Sequence, residues 1–202
     1  MLKAVIFDFD GVIADTFQLN VNISREQKKK FTLKEFRDHH NGNVWEKPVI
    51  QYTKKNLKYG FAEYHSRLDG SLLFPLKDQI KKLAKKHKLF IISSSPERSI
   101  EKFLKLVNIS KYFEKVLGYY AHQSKVEKFK MIFAKYKVKS EECVFVTDSL
   151  GDLREAKKVE VPTIAVTWGY HGKTRLKKGS PDIMIHNFKD LTGAVNKIRI
   201  TL

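Results

Sequence analysis

The feature of this chain that most constrains its fold is an alternation of two periodicities. Six short apolar runs, Lys3 to Phe7, Leu89 to Ile92, Lys115 to Gly118, Cys143 to Thr147, Thr163 to Thr167 and Ile183 to Ile185, are separated by stretches with helical spacing. Short runs of continuous apolar character read as strands buried on both faces. Between them, Ile80, Leu83 and Ala84 recur at helical intervals, as do Ile100, Phe103, Leu104 and Val107, and then Val126, Phe129, Ile132, Phe133 and Tyr136. Further helices are predicted from Leu150 to Lys158 and from Lys189 to Ile198. Strands alternating with helices predict an α/β fold, a Rossmann-like parallel sheet with helices on both faces.

One region breaks the alternation. Between the first run and the helix near Lys77, roughly sixty residues carry no strand signal. Phe17 to Phe36 and Val49 to Tyr64 are polar-rich with periodic apolar positions, and Leu72-Leu73-Phe74-Pro75 reads as a return linker. The expected organisation is a core of residues 1–14 and 75–202 with a small helical cap, residues 15–74, inserted after the first strand.

With 202 residues, 42% of them apolar and 30% charged, the chain has the balance of a globular domain and enough length for a core of its own. The single cysteine, Cys143, excludes an internal disulfide framework and reads as a small buried residue. No apolar run approaches the ~20 residues of a membrane span. The first run is too short for a signal peptide and is broken by Asp8, so the cytoplasm is the expected compartment. The formal net charge is +17. It comes mostly from lysines in separate segments, such as Lys28-Lys29-Lys30, Lys81-Lys82 and Lys177-Lys178. That dispersion reads as solvated helix faces, with neither specific nucleic acid nor membrane as a partner.

In open parallel sheets, ligands bind at the carboxyl ends of the strands. The residues there are Asp8-Phe9-Asp10-Gly11, Ser93-Ser94-Ser95 and Asp148-Ser149-Leu150-Gly151-Asp152. Four carboxylates, Asp8, Asp10, Asp148 and Asp152, gathered in one pocket would repel one another, and a hard divalent cation resolves the conflict. Oxygen-only ligands favour Mg2+.

Asp8-Phe9-Asp10-Gly11-Val12 resembles the opening motif of the haloacid dehalogenase superfamily. Ile91-Ile92-Ser93-Ser94 is similar to its second motif, Lys125 ahead of an amphipathic helix to its third, and Val146-Thr147-Asp148-Ser149-Leu150-Gly151-Asp152 to its fourth. The position of the insert, the stretch Val166-Thr167-Trp168-Gly169-Tyr170 and the turn Ser180-Pro181-Asp182 resemble the phosphoglycolate phosphatase and beta-phosphoglucomutase branch. The resemblance implies a Mg2+-dependent phosphatase acting on a small phosphorylated metabolite, a phosphate monoester, through an aspartyl-phosphate intermediate. Asp8 would be the nucleophile and Asp10 the general acid and base, a residue the dehalogenases of the superfamily lack. Ser93, Ser94 and Lys125 would bind the phosphoryl group. Asp8, Asp148, Asp152 and the Asp10 carbonyl would hold the metal.

The chain departs from the family pattern at two points. Motif three reads Ser124-Lys125-Val126 without the usual proline, which leaves Lys128 as a competitor, and Ser94 stands where many relatives carry Asn. A phosphomutase, a pyrophosphatase and a nucleotide phosphatase of the same superfamily remain rivals, as does a non-catalytic polyanion binder on this scaffold; monomer and homodimer are both open. His39, His40, His65 and His122 read as solvated surface, with His122 the best placed for the site edge. Trp45, Tyr119 and Tyr120 read as packing. Trp168 reads as packing or as the pocket rim.

Overall fold

A computed structural model describes residues 1–27, 30–46 and 53–198. In chain order its elements are β1 (Ala4–Phe7), α1 (Phe17–Glu26), α2 (Leu33–Asp38), α3 (Lys54–Arg67), α4 (Lys77–Ala84), β2 (Lys88–Ile92), α5 (Glu97–Leu106), β3 (Phe113–Leu117), α6 (Lys125–Tyr136), β4 (Cys143–Thr147), α7 (Leu150–Lys157), β5 (Thr163–Val166), α8 (Lys173–Lys177), β6 (Ile183–Ile185) and α9 (Leu191–Lys197). The six strands form one sheet in the order β3-β2-β1-β4-β5-β6, and every neighbouring pair is parallel.

The period-two alternation of the central strands builds a core on each face. Val5 and Phe7 of β1 pack with Ile80 and Leu83 of α4, Ile100 and Phe103 of α5, and Val195 of α9. Ala4 and Ile6 face the other way, onto Phe129 and Ile132 of α6 and Ala156 of α7. Cys143 is fully buried in this second cluster. Burying aromatic and branched side chains of this size contributes about 1.5–3 kcal/mol each, so the sheet is held from both sides. The fold is the Rossmann-like α/β arrangement that the sequence predicts.

Strand order reverses at β1, where the chain passes to β2 and β3 on one side and later to β4 on the other. A crevice opens at the carboxyl end of such a switch point. Register fixes what meets there: Phe7 pairs with Val146, and Asp8 N donates to Val146 O at 2.9 Å. Asp8 and Asp148 therefore leave adjacent strands side by side.

Among its described residues, the stretch between β1 and α4 holds three α-helices where the periodicity predicts two. Thr32 divides the first: its hydroxyl accepts from Glu35 N while the Glu35 carboxylate accepts from Thr32 N, a capping box that starts α2 afresh. Lys28 and Lys29, and the start of the second expected helix at Val49, lie outside the described residues. The short α8 has no counterpart in the sequence reading, because five residues carry too little periodicity to register. The two connections to the insert run together, with Asp15 N donating to Leu72 O and Phe74 N to Ile13 O.

The insert is docked on the loop after β5. Leu150 N donates to His171 Nδ1 at 2.9 Å, so the proton of this fully buried imidazole sits on Nε2, which donates to Arg37 O at 2.8 Å. Arg37 Nε returns a bond to Tyr170 O, and Arg175 pairs with Asp38 at 2.9 Å. Arg154 donates to Asn41 O. Further along, the amide of Asn43 reaches Glu155.

Burial holds the His171 imidazole down at about 4, against the ordinary 6.5. As pH falls, the unfolded chain takes this proton first. The stability that the neutral imidazole contributes is therefore full above pH 6.5 and is lost between 6.5 and 4, by an amount on the order of 3 kcal/mol. His171→Gln should be less stable than the wild type at pH 7 but should lose less between pH 6.5 and 4. Urea denaturation across that range checks this, and equal slopes for the two proteins would refute it.

Candidate active site

Asp8 emerges from β1 as a buried residue, and one carboxylate oxygen accepts from Phe9 N at 2.7 Å. The other lies 2.9 Å from Lys125 Nζ, which is also 2.6 Å from Asp152 Oδ2. Lys125 opens α6, and Lys125 N donates to the buried Glu155 carboxylate of α7. That bond satisfies one of the donors a helix N-terminus leaves over, and it fixes where Lys125 begins. Asp152 is placed in the first turn of α7 by Ser149, whose hydroxyl accepts from Asp152 N, and Asp152 Oδ2 accepts from Thr147 Oγ1 at 2.7 Å. Burial alone would lower the Lys125 pKa, but Asp152 and Asp8 outweigh it and hold the ammonium charged. The same partner holds Asp152 low despite its burial. Asp8 is pushed well up by burial against the pull of Lys125, with Asp152 and Asp148 adding repulsion.

Asp148 ends β4 and accepts from Tyr170 N at 2.6 Å. Burial, opposed by that bond and aided by Asp152, raises it to about 7. Space around it exists only because of two glycines. A Cβ at Gly11, which has a φ of +74°, would stand 2.0 Å from Asp148 Oδ2, and one at Gly169 would stand 2.1 Å away.

Asp10 stands apart from this ionic cluster, enclosed by hydroxyls. Oδ1 accepts from Thr16 at 2.7 Å and Tyr64 at 2.6 Å; Oδ2 accepts from Ser95 at 2.7 Å and Ser93 at 3.3 Å. Behind Thr16, Asn20 donates to the Tyr170 hydroxyl, which lies 3.2 Å from the Thr16 hydroxyl. Tyr64 belongs to α3 of the insert, so the insert touches the second carboxylate directly.

Asp8, Asp10, Ser93, Ser94, Lys125, Asp148 and Asp152 all line one cavity of about 160 Å3, roofed by α1, α3 and the segment after α2. The structure thus brings together the seven residues named as site candidates from the sequence. Lys128 is drawn elsewhere: it is fully buried, donates to Ser93 O, and is lowered to about 7 by burial and by Lys125. Lys125, not Lys128, meets Asp8. Ser94 is half-buried in the lining.

Two sequence expectations are corrected. His39 is buried, not solvated, and half-buried His40 lines the cavity with its ring 4.9 Å from that of Tyr170. Both follow α2, where the insert turns back onto the core. His65 is half-buried beside Ser99, whereas His122 is exposed, with Nδ1 accepting from Ser124 N. Trp168 packs against Phe74 and Phe188 and donates to Val12 O, away from the cavity. Trp45 both packs, 4.8 Å from Tyr119, and lines the cavity. Tyr120 is 70% exposed. Tyr64, Thr16, Ser95 and Glu155 went unread in the sequence; only Ser95, in the run Ser93-Ser94-Ser95, carried a local signal.

The chemistry of the donor set fits a divalent cation. Asp8, Asp148 and Asp152 are buried and oppose one ammonium, so they hold two negative charges in excess when ionised. Among the described residues, no three His, Cys, Asp or Glu side chains are gathered closely enough to grip a metal as they stand. Asp8 and Asp152 face Lys125 instead, and one oxygen of Asp148 is taken by Tyr170 N.

Comparison with known proteins identifies the family. The profile of the haloacid dehalogenase-like hydrolases matches residues 5–166. The chain belongs to that family. It is 25% identical to a phosphoglycolate phosphatase of Synechococcus elongatus, over 98% of this chain and 99% of that one. It is 28% identical to a phosphoglycolate phosphatase of Salmonella typhimurium, over 67% of this chain but only 56% of that longer protein. A haloacid dehalogenase-like family protein from Streptococcus pneumoniae shares the fold, with a TM-score of 0.78 over 96% of this chain and 98% of that one at 17% identity. No helix among the described residues is long and apolar enough to cross a membrane.

Tyr64→Phe removes one of the four hydroxyls on Asp10 and loosens the insert from the strand ends. The expected loss of stability is about 1.5–3 kcal/mol, the range for a hydrogen bond to a charged group, read by urea denaturation at pH 7. A change below a few tenths would mean that this contact does not hold the insert.

Proposed function

We propose that this hydrolase is a Mg2+-dependent phosphatase that acts on a small phosphate monoester through an aspartyl phosphate on Asp8. The observation that carries the reading is the pairing of two unlike carboxylates in one roofed cavity: Asp8 against Lys125, and Asp10, two residues on, among hydroxyls. Phosphoryl transfer asks mainly for positioning and for charge at the equatorial oxygens, and an arrangement of this kind supplies both.

Lys125 lies where it offsets charge on the incoming phosphoryl group and keeps Asp8 in line. Ser93 and Ser94, at the end of β2, take the phosphoryl oxygens through hydroxyl and backbone groups. Asp8 attacks phosphorus while Asp10 gives a proton to the departing oxygen; Asp10 then takes a proton from the water that cleaves the acyl phosphate. The hydroxyls of Thr16, Tyr64 and Ser95 aim the Asp10 carboxylate. Asp8, Asp148 and Asp152 with the Asp10 carbonyl would hold Mg2+, which supplies the positive charge that lets nucleophile and phosphate approach. Residues 15–74 serve as a cap that keeps water out during transfer, over a core formed by residues 1–14 and 75–202. The names of relatives as phosphoglycolate phosphatases support hydrolysis over mutase chemistry.

Asp8→Asn should abolish phosphate release from every ester, because an amide cannot form the acyl phosphate, with the fold kept by circular dichroism. Asp10→Asn should slow turnover by roughly 10²–10⁴-fold. Wild-type-like turnover in Asp8→Asn would sink the mechanism. Chelation should stop activity and Mg2+ should restore it, whereas Ca2+, with its larger and looser shell, should restore little. Activity that resists a chelator would point to a different chemistry.

A further inference from the structure

Lys128 is a buried cation that the phosphoryl-transfer steps leave unused. It lies one turn beyond Lys125 in α6, has no exposed surface and does not line the cavity. Its Nζ donates to Ser93 O, a neutral acceptor. An ammonium is costly to bury against a carbonyl, and a methionine would fill the same space without that cost. Burial and the neighbouring Lys125 bring the group to about 7. Ammonium and amine both donate to a carbonyl, so the bond to Ser93 holds on either side of neutrality.

The carbonyl belongs to the turn that ends β2, where the backbone is otherwise well occupied. Ser93 N donates to Leu117 O at 2.9 Å, Ser95 N to the Ser93 hydroxyl at 3.0 Å, and Tyr119 N to Ser95 O at 3.0 Å. Among the described residues none accepts from Ser94 N, although Ser94 is half-buried in the cavity wall. Ser93 O and Ser94 N are the two ends of one peptide unit. A trans peptide is planar, so its C=O and N–H point in opposite directions. Lys128 draws the carbonyl toward α6, away from the cavity lining, and the Ser94 N–H is thereby turned the other way. With the peptide turned over, the carbonyl would face the phosphoryl end, where the oxygen of its dipole repels an anion.

We infer that Lys128 is a positioning residue that locks the Ser93–Ser94 peptide with its N–H turned to the phosphoryl group. One turn of α6 then serves the site twice, Lys125 through its charge and Lys128 through the direction of a backbone donor. The inference rests on the phosphatase reading for the identity of the anion.

The test sets stability against anion binding, with inorganic phosphate as the probe because it binds without turnover. Calorimetry in the presence of Mg2+ measures phosphate affinity for the full-length wild type, Lys128→Met and Lys128→Gln. Urea denaturation at pH 7 measures stability, p-nitrophenyl phosphate gives kcat and KM, and amide NMR follows the Ser94 N–H. Lys128→Met should unfold at the same urea concentration as the wild type or a higher one, since it removes a buried ammonium. It should nonetheless bind phosphate about tenfold more weakly. Its kcat should fall about 10–100-fold with KM less affected, because the N–H meets charge that gathers in the transition state. Phosphate should move the Ser94 amide proton downfield in the wild type and leave it nearly unmoved in Lys128→Met. Lys128→Gln, which keeps a donor on a shorter arm, should fall between the two, and its comparison with the wild type carries the test if Lys128→Met does not fold. Unchanged phosphate affinity and kcat in the variants would overturn the inference. So would losses that follow a fall in stability while the Ser94 shift is retained. If phosphate binding weakens as expected but wild-type protein releases phosphate from no ester, the inference stands and the phosphatase reading falls.

Discussion

The site depends on one ammonium group. Lys125 Nζ lies between Asp8, at the end of β1, and Asp152, in the first turn of α7, and all three side chains are almost wholly buried. A buried carboxylate pair without that cation would take up protons or push the strand ends apart. The lysine is also the first residue of α6, whose start is pinned by Glu155 of α7. Two helices and a strand are therefore set against one another by a few charge-assisted bonds, and the crevice at the switch point keeps its shape because those bonds are mutually dependent.

Asp10 shows the opposite solution to the same problem. Among the described residues no cation pairs with it, and four hydroxyl donors surround it, drawn from the core loop after β2, from the connection into the insert at Thr16 and from the insert itself at Tyr64. Two carboxylates two residues apart are thus given unlike surroundings, one ionic and one hydroxylic. Separate roles for neighbouring acids arise from such differences in surroundings.

The sheet and the strand-end acids were legible in the sequence because their signals are local. An apolar run ending in Asp8-Phe9-Asp10-Gly11 states both a buried strand and a turn that exposes carboxylates. Tyr64 was illegible for the opposite reason: it lies in a helix of weak periodicity, 54 residues from the acid it touches, and only the folded path of the insert joins them. Glu155 looked like an ordinary polar helix residue until α6 was placed against it. His39 and His40 were misread because a polar helix end is solvated by default, whereas here it turns inward onto Tyr170 and His171. The break at Thr32 was written in the capping-box spacing of Thr32 and Glu35 and was masked by the apolar positions on either side.

The docking of the insert onto the core has a bearing on how such a chain can change over generations. His171 and Arg154 grip backbone carbonyls, those of Arg37 and Asn41. Gly151 lies so close to the backbone of Gly42 that a Cβ there would stand 2.5 Å from the Gly42 oxygen. Every residue type offers the same carbonyl, so these contacts survive most substitutions in the insert. Side chains that face the ligand are then at liberty to drift without detaching the roof from its base. One scaffold can thereby pass from one substrate to another by small steps, with the acids at the strand ends untouched.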